Sequence, residues 1–216
     1  MTERLPDRYR AVVFDMDGLL LDTELLWHSA ETALFERHGG TFSWEDKLTV
    51  IGTDFGFTGR YFAERLDLAP EHGASLVDEM VDLMHDQLRV QVSHRPGALE
   101  LIARLRGRTR LGLASNSPRR LVDAALATAG VTDAFEVIVT ADDVARSKPA
   151  PDLYLLACER LGVPPGEALA LEDSPSGVAA AKAAGLTCIA VPQFAGADVS
   201  AADRIIDSLE ELLAEA

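Results

Sequence analysis

From Pro96 onward the chain alternates helical patterns with short apolar runs, and that alternation admits few folds. Ala98–Arg106, Pro118–Ala129, Pro151–Leu161 and Ser176–Ala184 carry apolar residues at helical spacing. Between and after them, Arg110–Ala114, Phe135–Val139, Ala168–Leu171, Thr187–Val191 and Arg204–Ile206 read as strands, with a closing helix from Ser208. Strands separated by helices pair in parallel, because a parallel neighbour is reached only through a crossover connection. One more apolar run, Ala11–Phe14, lies near the N-terminus and belongs to the same sheet.

Between that first strand and Pro96 the pattern is helical only. Glu24–His38 ends at Gly39 and Gly40, as a helix should, and further helical patterns cover Trp44–Ile51, Tyr61–Leu68 and Ser75–Val90. The expected fold class is therefore α/β: a doubly wound parallel-sheet, Rossmann-like core of residues 1–22 and 94–216, with an inserted all-helical cap domain of residues 23–93. An insertion that starts just past a strand end is placed to cover the crevice there, to exclude water and to read a substrate.

Three strand ends carry chemistry. The run Ala11–Phe14 stops on Asp15, Met16, Asp17 and Gly18, which puts two acids at one sheet mouth, where ligands of open α/β sheets bind. Carboxylates that close together repel, and a hard divalent cation such as Mg²⁺ offsets their charge. Leu111–Ala114 runs into Ser115, Asn116 and Ser117 ahead of Pro118, a hydroxyl, an amide and helix-start N–H groups suited to an oxyanion or phosphate, though an ordinary helix cap reads the same way. Leu169–Leu171 closes on Glu172 and Asp173, which add oxygen ligands of the kind Mg²⁺ prefers. Between these ends lies Lys148, one of only three lysines in a chain that otherwise uses arginine, which fits a need for a compact ammonium, though taken alone a solvated loop lysine reads the same way.

Composition excludes several classes. A net charge of −15 disfavours binding to nucleic acid or to an anionic membrane, since both need a basic face. Residues 1–10 have no apolar leader pattern and no later stretch is long enough to span a bilayer, so a cytoplasmic location is expected. Cys158 and Cys188 lie in separate apolar stretches and read as buried free thiols. The oligomeric state is open between a monomer, the default, and a homodimer. All five histidines precede Pro96 and no GxSxG occurs, so a serine-hydrolase triad has no support, and zinc-ligand spacing is absent.

Taken in order, FDMDGLLLDTE, LASNS, SKPAPDLY and ALEDSPSG resemble the motifs of the haloacid dehalogenase superfamily, over almost the whole chain, and in particular its branch with a helical cap after the first strand, which includes sugar phosphatases and β-phosphoglucomutase. The resemblance implies that Asp15 attacks phosphorus and forms an aspartyl-phosphate, and that Asp17 is the general acid and base. It implies Mg²⁺ held by Asp15, Glu172, Asp173 and the Asp17 backbone carbonyl. Ser115, the Asn116 amide and Lys148 would hold the phosphoryl oxygens. Thr23, with Ser93 or His94, would lie near the cap hinges, and Thr23, Glu24, Trp27 and Arg60 are expected to touch substrate from the cap.

The function expected is Mg²⁺-dependent hydrolysis of a small phosphorylated metabolite, a sugar or polyol monoester. Its alternative is phosphoryl transfer between sugar hydroxyls as in β-phosphoglucomutase, which needs a cap-side grip on a second phosphate. The segment 52–60 offers Arg60 as its sole cation, which favours hydrolysis. Dehalogenases of the superfamily lack the second acid, so Asp17 argues against that chemistry. Phosphonate hydrolysis needs a reactive cap lysine, and the one lysine there, Lys47, sits among acids and apolar residues in a helical stretch. A non-hydrolytic phospho-aspartate signalling module would have no inserted cap.

Overall fold

A computed structural model describes residues 4–51, 53–194 and 196–216; residues 1–3, Gly52 and Ala195, which the expected segments 1–22, 52–60 and 94–216 include, lie outside it. In chain order the elements are α1 (Leu5–Arg8), β1 (Ala11–Phe14), β2 (Leu21–Asp22), α2 (Glu24–Arg37), α3 (Trp44–Val50), α4 (Phe55–Arg65), α5 (Gly73–Leu88) and β3 (Ser93–His94). They continue with α6 (Ala98–Leu105), β4 (Arg110–Ala114), α7 (Arg119–Ala129), β5 (Val137–Val139), α8 (Asp152–Leu161), β6 (Ala168–Glu172), α9 (Pro175–Ala184), β7 (Thr187–Ala190) and β8 (Arg204–Ile205).

Six strands form one parallel sheet in the order β5-β4-β1-β6-β7-β8. β1 is central, with Phe14 level with Leu113 on one side and Leu171 on the other. Alternate residues supply the two faces: Val12 and Phe14 pack with α6 and α7, while Ala11 and Val13 pack with α8 and α9. Helices on both faces leave these strands no solvent side, which is why they read as unbroken apolar runs. Both cysteines are free and buried in the α8/α9 layer, as expected. The chain is thus a doubly wound α/β core carrying an all-helical insertion.

The insertion is joined to the core by a feature absent from the sequence reading. β2 and β3 pair antiparallel, Leu21 with His94 and Asp22 with Ser93, so the outgoing and returning chain are tied to each other. Two-residue strands carry no readable period. α4 also begins earlier than its pattern suggests, at Phe55 rather than Tyr61, with the Asp54 carboxylate accepting from Phe57 N–H as its cap. Gly59 and Gly73, which lie between the expected helical patterns, are a contact: a Cβ on Gly59 would lie 2.6 Å from the carbonyl oxygen of Gly73, so α4 and α5 cross backbone against backbone. At the other end the expected closing helix is only a short 3-10 turn, Leu209–Leu212.

α3 is fastened to α4 by one buried carboxylate. Asp46 accepts from Ser43 N–H at 2.8 Å, Tyr61 OH at 2.6 Å and Arg65 Nε at 2.6 Å. The Arg65 hydrogen bond leads the effects that hold Asp46 well below the usual carboxylate range. A group whose folded pKa is depressed stabilises above its unfolded pKa and loses that contribution as pH falls. Asp46→Asn is therefore expected to destabilise the protein by about 2 kcal/mol at neutral pH, a fall of roughly 4–8 °C in melting temperature. Thermal denaturation at a series of pH values checks this: the gap to wild type should close as pH drops below about 4.

Candidate active site

Each chemical residue sits at a carboxyl end of the sheet because the strand before it stops there. Asp15 follows β1 and its N–H donates to Leu171 O, so its side chain enters the mouth between β1 and β6. Glu172 is the last residue of β6 and is fully buried. Lys148 comes from the loop after β5 and reaches inward, 3% exposed, to donate from Nζ to Asp15 Oδ1 at 2.6 Å, Glu172 Oε1 at 2.6 Å and Ala114 O at 2.8 Å. Tyr154 OH, from α8, donates to the same Glu172 oxygen at 2.6 Å. Neither that tyrosine nor the order of these contacts is visible in sequence, since the partners lie far apart along the chain.

The lysine loop is itself held. The Asn116 side chain accepts from Lys148 N–H at 2.9 Å and donates to Lys148 O at 3.3 Å. Expected as a phosphate contact, the Asn116 side chain thus positions the backbone that delivers the ammonium.

Asp17 lies across the mouth from Lys148. Its Oδ1 accepts from Thr23 OH at 2.7 Å and Trp27 Nε1–H at 3.2 Å, and its Oδ2 accepts from Ser117 OH at 2.8 Å. Thr23 and Trp27 belong to the start of the helical insertion and Ser117 to the core, so Asp17 bridges the two. This corrects two expectations. Thr23 is completely buried against Asp17 and does not line the cavity, and the hydroxyl that opens onto the cavity is Ser117. Ser115 lies beneath it, 1% exposed, because its N–H closes the sheet to Val139 O and its Oγ accepts from Ser117 N–H at 3.0 Å.

Asp15, Glu172 and Asp173 each bring a carboxylate oxygen within 4.8 Å of the others. Burial pushes Asp15 up to about 8; Lys148 pulls against that, while Glu172 and Asp17 add like charge. Asp173 is raised well above its ordinary value, first by burial and then by Asp15 and Glu172. Burial disfavours the Lys148 ammonium, but Asp15 and Glu172 outweigh it and hold the lysine above its usual range. Three carboxylates around one ammonium remain short of positive charge, and an all-oxygen donor set of this kind fits a hard divalent cation. Gly18 is required beside it: the residue has φ +81°, and a Cβ there would meet Asp173 Oδ2.

A cavity of about 840 Å³ opens over these groups, lined from the core by Asp15, Asp17, Asn116, Ser117, Lys148 and Asp173. Glu24 and Trp27 line it from the insertion. Arg60 does not: it is exposed on α4 and faces a separate depression with Phe57, Tyr61 and Glu64, because the buried side of that helix carries Thr58, Gly59, Phe62 and Ala63. Two residues with no expected role do line the cavity, Glu31 and Lys47. Among the described residues no helix is long and apolar enough to cross a membrane.

A sequence profile of the haloacid dehalogenase-like hydrolases matches residues 9–185. The chain is similar to the validoxylamine A 7′-phosphate phosphatase of Streptomyces hygroscopicus subsp. limoneus, 34% identical over 214 residues, which cover 94% of this chain and 96% of the relative. It is 29% identical over 187 residues to the fructose-1-phosphate phosphatase of Escherichia coli (strain K12), covering 86% of this chain and 97% of that one. Among solved structures it is similar to a mutant of CbbY from Rhodobacter sphaeroides in complex with xylulose-(1,5)bisphosphate, with a TM-score of 0.84 and 33% identity over 94% of this chain and 96% of that one.

Proposed function

The chain belongs to the haloacid dehalogenase-like hydrolase family and is a phosphatase, and from that premise we propose that it hydrolyses a small sugar or polyol phosphate monoester with Mg²⁺, through an aspartyl-phosphate on Asp15. The observation that carries this reading is the pair of opposed acids: Asp15 held by the buried Lys148, and Asp17 held across the mouth by neutral donors only.

Lys148 fixes Asp15 through Oδ1, leaving Oδ2 to attack phosphorus. As the Asp15–phosphorus bond forms, the ester P–O bond breaks, and protonated Asp17 gives its proton to the departing alkoxide. Asp17, now a carboxylate, takes a proton from water. The hydroxide attacks phosphorus, the acyl phosphate bond breaks, and Asp15 is regenerated with release of inorganic phosphate. Thr23, Trp27 and Ser117 orient Asp17 for both transfers without offering it a fixed positive charge. Lys148 and the Asn116 N–H would face the phosphoryl oxygens, where charge gathers during transfer. Asp15, Asp173, Glu172 and the Asp17 backbone carbonyl would hold Mg²⁺, which neutralises the phosphoryl charge when bound. Residues 23–93 serve as the cap that closes over this site.

The test is ³¹P NMR of the protein with Mg²⁺ and a panel of sugar and polyol phosphates. Growth of the inorganic phosphate signal, lost on chelation and regained on adding Mg²⁺, is expected. Conversion of β-glucose 1-phosphate to glucose 6-phosphate without phosphate release would make it a mutase and overturn hydrolysis.

A further inference from the structure

On the wall of the cavity formed by the insertion, three charged side chains meet with little solvent. Lys47 Nζ lies 3.1 Å from Glu24 Oε2 and 3.2 Å from Glu31 Oε1, and the Lys47 and Glu31 side chains are 4% and 5% exposed. All three line the cavity that contains Asp15. Glu24, Trp27 and Glu31 recur at i, i+3 and i+7 of α2, one stripe of that helix, so the stripe leads from the Trp27 contact with Asp17 outward to the triad.

The triad is poorly explained as a stability device. Glu31 Oε2 is buried with no hydrogen-bond partner, and Glu24 Oε2 meets the lysine outside hydrogen-bond geometry. A buried acceptor left unpaired destabilises the fold, and apolar residues of similar volume would hold the helices together at no such cost. Burial pushes Glu31 up to about 7 even though Lys47 pulls it down. Two glutamates of the cavity lining, each with a buried oxygen that no donor meets, stand beside an ammonium, a set that matches an incoming group carrying hydroxyls.

Charge around the cavity points the same way. Its cations among the described residues are Lys47, Lys148 and Arg146, and each is already paired, Lys47 with two glutamates, Lys148 with Asp15 and Glu172, and Arg146 with Asp152 at 2.8 Å. A second anionic group on the substrate would find no free cation and would face two carboxylates. The bisphosphate in the CbbY crystal is a ligand of that protein, and among the described residues the cation on this wall, Lys47, is already held by two glutamates.

We infer that Lys47 with Glu24 and Glu31 selects the alcohol half of the ester, receiving the hydroxyls of a neutral polyol and rejecting leaving groups that carry a second phosphate or a carboxylate. This rests on the phosphatase reading of the same site and names its substrate class more narrowly. Sites built to hydrogen-bond a substrate hydroxyl discriminate strongly, because the alternative leaves buried groups unpaired.

The test compares kcat/KM for matched esters: fructose 1-phosphate with fructose 1,6-bisphosphate, glycerol 1-phosphate with 3-phosphoglycerate, and phenyl phosphate as a leaving group without hydroxyls. Wild type is expected to prefer the neutral member of at least one pair by about tenfold or more. Glu31→Gln should shrink that preference by about tenfold, and Lys47→Met should lower kcat/KM for the neutral polyol ester by about tenfold relative to phenyl phosphate. Ratios within one protein do not depend on how much of a variant is folded. No preference for either neutral ester, or ratios unmoved in both variants, would overturn the inference while phenyl phosphate turnover kept the phosphatase reading intact. Absence of turnover on every ester, phenyl phosphate included, would sink the phosphatase reading itself.

Discussion

Asp15→Asn is expected to remove phosphate release, with kcat down by about 10⁴-fold or more. A carboxamide has the shape of the carboxylate but is a poor nucleophile toward phosphorus, so the first step has no attacking group. The fold should survive, because Lys148 keeps Glu172 as a partner and the substitution adds no volume to a packed mouth. Stability is expected to hold or rise when measured in chelator, since the native side chain is an acid whose pKa burial pushes up to about 8, a sign that its charge is costly there. Single-turnover phosphate release together with thermal melting separates the two effects. Residual activity above about a hundredth of wild type would count against nucleophilic Asp15, and a large fall in melting temperature would assign the loss to misfolding.

Lys148→Met is expected to damage both stability and turnover, and a second substitution should separate them. The lysine is the sole cation bonded to Asp15 and Glu172 among the described residues, and all three side chains are buried. Removing one partner from such a cluster costs about 3–5 kcal/mol because the remaining charge is stranded. Adding Glu172→Gln removes one of the two stranded carboxylates, the fully buried one, while its amide can still meet Tyr154 OH. The double variant is therefore expected to regain part of the lost stability, read as the midpoint of urea denaturation, but not the activity, which should stay about 10²-fold or more below wild type. If the double variant recovered turnover along with stability, Lys148 would be a structural ion-pair partner and not a phosphate contact.

How far the sequence carried the reading depended on the range of the interactions. The parallel core was legible because strands buried on both faces and helices with one apolar side leave patterns within a few residues, and Asp15, Asp17, Glu172 and Asp173 stood out as acids directly behind apolar runs. Lys148 was marked by its rarity, but its partners Ala114, Glu172 and Tyr154 are set by the packing of three separate elements. Glu31 and Lys47 were missed for the same reason. On a helix an acid or a lysine reads as a solvated face, and nothing local says that α2 and α3 bury these two against each other. Gly59 and Gly73 misled in the opposite sense, since close approach of helices calls for the residue that otherwise signals a break.

The β2/β3 ladder bears on how such a chain can change over time. Because the strand entering the helical stretch is bonded to the strand leaving it, Leu21 to His94 and Asp22 to Ser93, the two cut points lie side by side. To the sheet, everything between them is one closed loop, and closing a longer loop costs only about 0.6 kcal/mol for each doubling of its length. A helix can be lengthened, lost or exchanged there without displacing Asp15 or the strands that aim it. The socket is a fixed fitting, and selectivity can be replaced as a cartridge.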